Sequence, residues 1–118
     1  MINKIFSLTD LGNSERFIEN HRDDTKYNSS QKSWRHWNGK FWCEDIGEVE
    51  TFAKAKQTVR DIIKEVDFNQ SLKEDIIDHA KKSESISKIN AFIKLARSAT
   101  ELQIQIDQLD ADPWLLNC

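Results

Sequence analysis

Three of the four tryptophans lie within one short stretch, WRHWNGKFW, which spans residues 34–42. An Asn38-Gly39 pair occupies the middle of this stretch. Asn-Gly supplies the positive φ angles that a two-residue type I′ turn requires at both central positions, so the pair predicts a tight β-hairpin. The large aromatic side chains on its strands must then be buried or used for binding. This requirement constrains the fold more than any other feature of the chain.

The two-residue turn sets a register for the predicted hairpin. The expected cross-strand pairs are Trp37–Lys40, His36–Phe41, Arg35–Trp42 and Trp34–Cys43. Because side chains alternate between the two faces of a strand, each face receives one set. The more apolar face, which we expect against the core, carries Trp34, His36, Phe41 and Cys43. The opposite face carries Arg35, Trp37, Lys40 and Trp42, and so mixes aromatic rings with cations.

Helical spacing of apolar residues predicts two helices, one on each side of this hairpin. The first follows a candidate N-cap at Thr9 or Asn13 and continues to His21. The second and clearest covers residues 47–66. Its expected apolar stripe consists of Val49, Phe52, Ala53, Val59, Ile62, Ile63 and Val66.

The second half of the chain continues the helical pattern. Ser71 and Glu74 form a capping-box pattern that opens a third helix, and residues 86–97 predict a fourth. The alternating segment QIQIDQL, residues 103–109, predicts a short strand. The sequence therefore predicts an α+β fold, a mostly helical bundle with a small tryptophan-rich antiparallel hairpin.

Length and charge limit the possible functions. The 118 residues suffice for a single domain, expected over residues 1–118. The formal net charge of -3 argues against binding DNA through bulk charge and leaves only a local basic patch. No apolar run approaches the ~18 residues of a membrane span. The start, MINKIFSLTD, lacks the apolar core of a signal peptide, so we expect a cytoplasmic protein.

The motifs of common enzyme classes are missing from the sequence. It has no Walker A, GxGxxG, GxSxG or HExxH pattern. His36 and Cys43 can be neighbours on one hairpin face, but zinc normally takes four ligands and no second pair is evident. We therefore predict no catalytic residue, no metal and no cofactor. An independent enzyme would need a convergent pocket of perturbed carboxylates or histidines.

The mixed face of the hairpin has the composition of a nucleic-acid contact. Aromatic rings stack on unpaired bases, while nearby cations hold the phosphates. The candidate residues are Arg35, Trp37, Lys40 and Trp42, with Lys81 and Lys82 as outer phosphate contacts. Two alternatives remain open for the hairpin. Cations and rings can satisfy each other across the strands, or a neighbouring domain can bury this face. The lysines can also belong to a solvated helix face.

Four stretches of the chain together resemble one family. They are TDLGNSERFIENHRDD (9–24), WxxWNGKFW (34–42), HAKKSES (79–85) and LDADPWLLNC (109–118). In this order and at this spacing, they resemble the domain immediately before the superfamily-three helicase in phage and plasmid primase-helicases. The same domain is found in the poxvirus primase-helicase. The resemblance covers the chain from Thr9 to Cys118.

The resemblance implies a context rather than an activity. The family's neighbouring helicase hydrolyses ATP with Walker motifs, and primer synthesis needs a set of catalytic carboxylates. This chain carries neither, so the resemblance implies a non-catalytic N-terminal accessory domain in the DNA replication of a phage, prophage or plasmid. It also implies an adjacent helicase domain in the same parent chain. The apolar end, residues 113–118, agrees with a piece of a longer protein.

Two functional hypotheses follow. In the first, the domain positions single-stranded DNA or organises the helicase in a phage- or plasmid-type primase-helicase. In the alternative, it is a protein–protein assembly or linker domain without direct DNA contact, and it can form a homo-oligomer. Replacing Trp37 and Trp42 distinguishes them, because only the first hypothesis predicts weaker DNA binding with an intact fold.

Overall fold

The computed structural model describes residues 6–103 of the chain. Its helices and strands are α1 (Asp10–His21), β1 (Thr25–Asn28), β2 (Ser33–Trp37), β3 (Trp42–Glu44), α2 (Val49–Asp61), α3 (Lys73–Lys82) and α4 (Ile86–Ala96). Shorter 3₁₀ segments cover Ile46–Glu48, Ile62–Phe68, Gln70–Leu72 and Thr100–Leu102. The predicted α+β class is confirmed, because the helices are combined with a small three-stranded antiparallel sheet.

Helix α1 begins as the sequence predicts. The Thr9 hydroxyl accepts a hydrogen bond from the backbone N–H of Gly12 at 3.0 Å, which makes Thr9 the N-cap. Gly12 is required for a separate reason. A Cβ atom at this position would lie 2.0 Å from the backbone oxygen of Ser7, so only glycine lets the entering chain pass this close to the helix.

The strand order in the sheet is β1-β2-β3, and the predicted hairpin register is wrong by two residues. The observed pairs are Trp37–Trp42, His36–Cys43 and Arg35–Glu44. A four-residue loop, residues 38–41, connects the strands. The side-chain oxygen of Asn38 accepts hydrogen bonds from the backbone N–H groups of Lys40 and Phe41, both at 2.8 Å. This local bonding by asparagine stabilises the wider loop in place of the two-residue turn.

A two-residue shift preserves the face to which each strand side chain points. Trp34, His36 and Cys43 therefore still share one face, while Arg35, Trp37 and Trp42 share the other. Lys40 and Phe41 leave the strands and lie in the loop. Strand β1 pairs with the other edge of β2, where its cross-strand pairs are Thr25–His36 and Tyr27–Trp34.

The hydrophobic core lies between the helices and the Trp34 face of the sheet. Its buried members are Phe17, Tyr27, Trp34, Ala55, Val59, Ile62, Ile76, Ala80, Ile89, Phe92, Ile93, Ala96 and Leu102. Phe17 of α1 contacts both Trp34 of β2 and Phe92 of α4, at ring-centroid distances of 5.8 and 6.2 Å. These contacts fix the sheet against the helices and so set the orientation of the hairpin.

The apolar stripe predicted for residues 47–66 is only partly correct. Helix α2 ends at Asp61, and the chain continues as a 3₁₀ segment. Val49 is 73% exposed and Ile63 is 50% exposed, although both belong to the predicted stripe. Thr51 and Thr58 are buried in α2 instead. Their hydroxyls donate to Asp45 and to the backbone oxygen of Lys54, which lowers the cost of their burial.

Two other sequence predictions concern the second half of the chain. Helix α3 begins at Lys73 without a side-chain cap, so the Ser71–Glu74 capping box is not formed. Gln103 makes a parallel bridge to Tyr27, which supports the start of the predicted strand. The remainder of that strand, residues 104–109, and the apolar end lie outside the described residues. None of the helices within residues 6–103 has the length and apolarity needed to cross a membrane.

Candidate functional site

The hairpin tip, defined as residues 37–42, presents two tryptophans beside a lysine. Trp37 is 42% exposed, Trp42 is partly exposed, and Lys40 is exposed in the loop between them. The two indoles are cross-strand partners whose ring centroids lie 5.5 Å apart at an interplanar angle of 57°. Three of the four predicted hairpin residues are thus brought together at one accessible end of the sheet.

Arg35 differs from the other three because it is only 1% exposed. It points to the same face as the two tryptophans and lies two residues before Trp37 on β2. Its Nη1 lies 3.2 Å from Oε1 of Glu44, and its Nη2 bonds the side-chain oxygen of Gln31. Arg35 therefore lies beside the hairpin tip as a buried ion-pair member and does not contribute an accessible cation.

Lys81 and Lys82 lie on a different element, in the last turn of α3. Both are exposed, and Lys82 forms an ion pair with Asp78 at 2.9 Å. None of the hydrogen bonds and ion pairs observed between residues 6 and 103 connects these lysines to the hairpin tip. Both lysines are therefore available at the surface, on an element other than the hairpin.

A buried polar cluster between the hairpin and helix α2 was not predicted from the sequence. His36 Nε2 lies 2.9 Å from the Thr51 hydroxyl and 3.3 Å from Asp45 Oδ2, while His36 Nδ1 lies 2.9 Å from Lys54 Nζ. An ammonium group only donates, so Nδ1 accepts and the proton resides on Nε2. Lys54 also bonds the Thr25 hydroxyl at 2.8 Å. The cluster therefore joins β1, β2 and α2 through a neutral histidine.

The electrostatics of the cluster agree with this tautomer. Burial lowers the pKa of His36 below its usual value of 6.5, and the nearby charge of Lys54 lowers it further. Burial alone would raise the pKa of Asp45, but hydrogen bonds from Thr51 and Glu50 outweigh that effect and lower it. At neutral pH the cluster thus contains an ionised Asp45 and a neutral His36.

We expect the domain to lose stability as the pH falls from 7.5 to 5.5. Burial lowers the pKa of His21, His36 and His79 in the folded state. As the pH drops through ~6.5, these histidines become protonated in the unfolded chain but stay neutral in the folded domain. The free energy of unfolding therefore decreases. The slope is at most about 1.4 kcal/mol per pH unit for each histidine. Urea denaturation across this range measures it.

The His36→Gln variant provides the control for this pH dependence. Its free energy of unfolding should change less steeply with pH than that of the parent protein, because the variant lacks one histidine that stays neutral in the fold. Asp24 and Asp45 have lowered pKa values, so their contribution disappears only as the pH falls below about 4. A free energy of unfolding that rises on acidification to pH 5.5 would contradict the neutral state of the buried histidines.

The structure shows the surroundings of His36 and Cys43, which the sequence analysis considered as two of the four ligands that a zinc site needs. His36 and Cys43 are direct cross-strand partners. Across residues 6–103, no group of three or more histidine, cysteine or acidic side chains is arranged to hold a metal ion. Both ring nitrogens of His36 are instead engaged, Nε2 by Thr51 and Asp45 and Nδ1 by Lys54. This geometry suits a structural role for His36.

Comparison with known protein families gave a match over most of the chain. A family model described as D5 N terminal like matches residues 14–118, which is most of the chain. Searches of curated proteins and of solved structures gave no match. The match agrees with the resemblance drawn from the four sequence stretches. Members of this family are N-terminal accessory domains that are not themselves catalytic. The chain therefore belongs to the D5 N-terminal-like family, the domain that precedes the helicase in phage and plasmid primase-helicases.

Proposed function

We propose that this domain positions single-stranded DNA for an adjacent helicase in a phage- or plasmid-type primase-helicase, without catalysing a reaction itself. Family membership supports the replication context. The observation that carries the DNA contact is the hairpin tip, where Trp37 and Trp42 lie side by side with their rings 5.5 Å apart. Base stacking needs accessible aromatic faces, and neighbouring bases can use two such rings in succession.

The cations around the tip fit a limited contact with the DNA backbone. Lys40 is exposed in the loop between the two tryptophans, within one residue of the Asn38-Gly39 pair. Arg35 contributes indirectly, because its ion pair with Glu44 supports the strands that carry the indoles. Lys82 can exchange its ion pair with Asp78 for a phosphate, since both partners are more than 60% exposed and such pairs are weak. Lys81 can act beside it.

The test is a titration of the domain with single-stranded oligonucleotide, followed by tryptophan fluorescence at several salt concentrations. We expect each of Trp37→Ala and Trp42→Ala to weaken binding about 5- to 150-fold, which corresponds to ~1–3 kcal/mol of stacking per base. Lys40→Ala should reduce the slope of log K against log salt concentration by about 0.7. Circular dichroism must show an unchanged fold in each variant.

Phe68→Ala is the matched control for this experiment. Phe68 is 41% exposed, close to the exposure of Trp37, but it belongs to the 3₁₀ segment after α2. Its replacement should leave the affinity unchanged. If the parent protein shows no quenching at low salt, or if Phe68→Ala weakens binding as much as Trp37→Ala, the hairpin tip is not the DNA contact.

A second candidate function, protein–protein assembly, is favoured by a different observation. Ile46 is 82% exposed and Val49 is 73% exposed, two large apolar side chains within four residues. Val49 and Trp37 line a shared groove of about 290 Å³, whose walls also include Glu44 and Glu50. Exposed apolar surface rimmed by polar groups is typical of a protein-binding site.

Sedimentation of an Ile46→Ser/Val49→Ser variant separates the two functions. Assembly predicts that the parent protein self-associates with increasing concentration and that this variant does not. A parent protein that remains monomeric would remove the support for self-assembly. Retained DNA quenching in the same variant would show that the groove and the hairpin tip act independently.

A further inference from the structure

A second groove, here called the α2–α4 groove, lies where α2 meets α4 and the turn between α3 and α4. It has a volume of about 270 Å³, and the residues that line it are Lys56, Val59, Arg60, Glu84 and Ile89. Val59 and Ile89 are buried and form its floor, whereas Lys56, Arg60 and Glu84 are exposed at its rim. The groove thus combines an apolar floor with two cations and one carboxylate.

The two cations of this groove are not neutralised by an ion pair. None of the ion pairs among residues 6–103 includes Lys56 or Arg60. By contrast, Lys64 and Lys82 each pair with an aspartate. Lys56 and Arg60 are four residues apart on α2, so their like charges repel each other, and an anion bound between them would relieve that repulsion. The groove therefore favours an anionic ligand.

Lys81 and Lys82 belong to an element that borders the same groove. The backbone N–H of Glu84 donates to the backbone oxygen of Lys81 at 3.2 Å, which places the last turn of α3 beside the groove wall. These two lysines add to the two cations of α2, while Glu84 and Asp78 oppose them. Because the whole chain has a net charge of -3, contact with a DNA backbone depends on a local excess of cations such as this one.

One side of α2 leads from the hairpin tip to the α2–α4 groove. Val49, Lys56 and Arg60 are separated by seven and four residues, a spacing that places them along one side of a helix. Val49 also lines the groove that contains Trp37. With a rise of about 1.5 Å per residue, Lys56 and Arg60 lie roughly 10 and 16 Å along the helix from Val49. A stacked strand that advances about 3.4 Å per nucleotide covers this distance in about five nucleotides.

We propose that the α2–α4 groove is a second contact for single-stranded DNA, in which Lys56 and Arg60 bind phosphates of the strand whose bases stack on the hairpin tip. The inference rests on the proposed function and extends it, because it assigns the path of the strand along α2. The apolar floor of the groove faces the sugar that adjoins these phosphates. Glu84 opposes the contact, since a carboxylate at the rim repels a phosphate.

The test measures the binding of a fluorescein-labelled oligothymidylate by anisotropy at a series of salt concentrations. In Lys56→Gln/Arg60→Gln, we expect the slope of log K against log salt concentration to become shallower by about 1.4, or about 0.7 for each lost phosphate contact. Lys73→Gln/Lys94→Gln is the matched control, because it removes the same charge from two exposed lysines that do not line the groove. Its slope should stay close to that of the parent protein. Equal slopes in the two double variants would overturn the proposal.

Glu84→Gln is expected to change the affinity in the opposite direction. Removing this carboxylate should strengthen binding about 1.5- to 5-fold, the range of a single exposed charge interaction. Glu74→Gln is the control, since it neutralises an exposed carboxylate of α3 that does not line the groove, and it should leave the affinity unchanged. A gain in affinity does not result from damage to the fold. Unchanged or weaker binding in Glu84→Gln would contradict a phosphate in the groove.

A Trp37→Ala/Trp42→Ala variant separates the failure of this inference from that of the proposed function. Weaker binding in this variant, together with a parent-like slope in Lys56→Gln/Arg60→Gln, would retain the hairpin tip as the DNA contact and refute the groove. No binding by the parent protein at low salt would refute both. If Lys56→Gln/Arg60→Gln loses binding of a polyaspartate peptide but retains that of the oligonucleotide, the groove accepts an acidic protein segment and the proposal fails.

Discussion

Replacing Trp34 with alanine is expected to lower the free energy of unfolding by about 3–5 kcal/mol. The indole is 1% exposed and packs edge-on against Phe17 and Tyr27, with ring centroids 5.8 and 5.0 Å away. Its removal opens a cavity where the sheet meets α1. Because a domain of this size has a total stability of only about 5–15 kcal/mol, the variant loses a large share of it. Urea denaturation followed by circular dichroism measures the change.

Trp37→Ala is the matched control, because it removes the same side chain from the same strand. Trp37 is 42% exposed, so its loss should cost about 1 kcal/mol or less. Trp34→Phe should cost less than Trp34→Ala. Phenylalanine retains much of the packing and removes an indole N–H that is buried without a partner among residues 6–103. Equal losses in Trp34→Ala and Trp37→Ala would contradict the assignment of the two indoles to opposite faces.

The two faces of the hairpin were predictable from the sequence, but its register was not. Alternation along a strand separates Trp34 from Trp37 whatever the turn, and a shift of two residues leaves that separation intact. The register depends on a competition within the loop. The side chain of Asn38 bonds two backbone N–H groups, which favours four loop residues over two. A dipeptide preference alone does not include this local bonding.

The error in the predicted register limited what could be inferred about the candidate site. The predicted pairing placed Arg35 opposite Trp42, whereas the observed pairing places it opposite Glu44. That difference turns an expected accessible cation into a buried ion-pair member. Lys40 moves from the strand into the loop but remains exposed beside the indoles. The aromatic part of the site was therefore predictable, while the environment of its cations required the three-dimensional structure.

The polar contacts between distant parts of the chain could not be predicted from the spacing of apolar residues. The helix pattern of residues 47–66 assigned Val49 to the core and gave no reason to bury Thr51. In the fold, Thr51 is buried because Asp45 and His36 bond its hydroxyl, and Val49 is left at the surface. Such assignments depend on residues outside the helix, and a hydrophobicity pattern within one helix does not contain them.

Replacing Arg16 with methionine is expected to lower the free energy of unfolding by about 3–5 kcal/mol. The guanidinium is 3% exposed and bonds Glu65 through two atoms, Nε at 2.6 Å and Nη2 at 2.9 Å. It also donates to the backbone oxygens of Phe6 and Ser7 and to the side chain of Asn13. Removing it leaves a carboxylate that is only 16% exposed without its cation. Urea denaturation of the variant measures the loss.

A double variant, Arg16→Met/Glu65→Leu, separates the ion pair from the other contacts of the arginine. Because a buried charge without its partner costs more than an apolar pair, the double variant should be more stable than Arg16→Met alone. Arg16→Lys should also be destabilised, since an ammonium cannot reproduce the two parallel bonds to Glu65. A double variant less stable than Arg16→Met would show that Glu65 stabilises the fold through other contacts. The contact between α1 and the 62–68 segment would then owe its strength to packing rather than to charge.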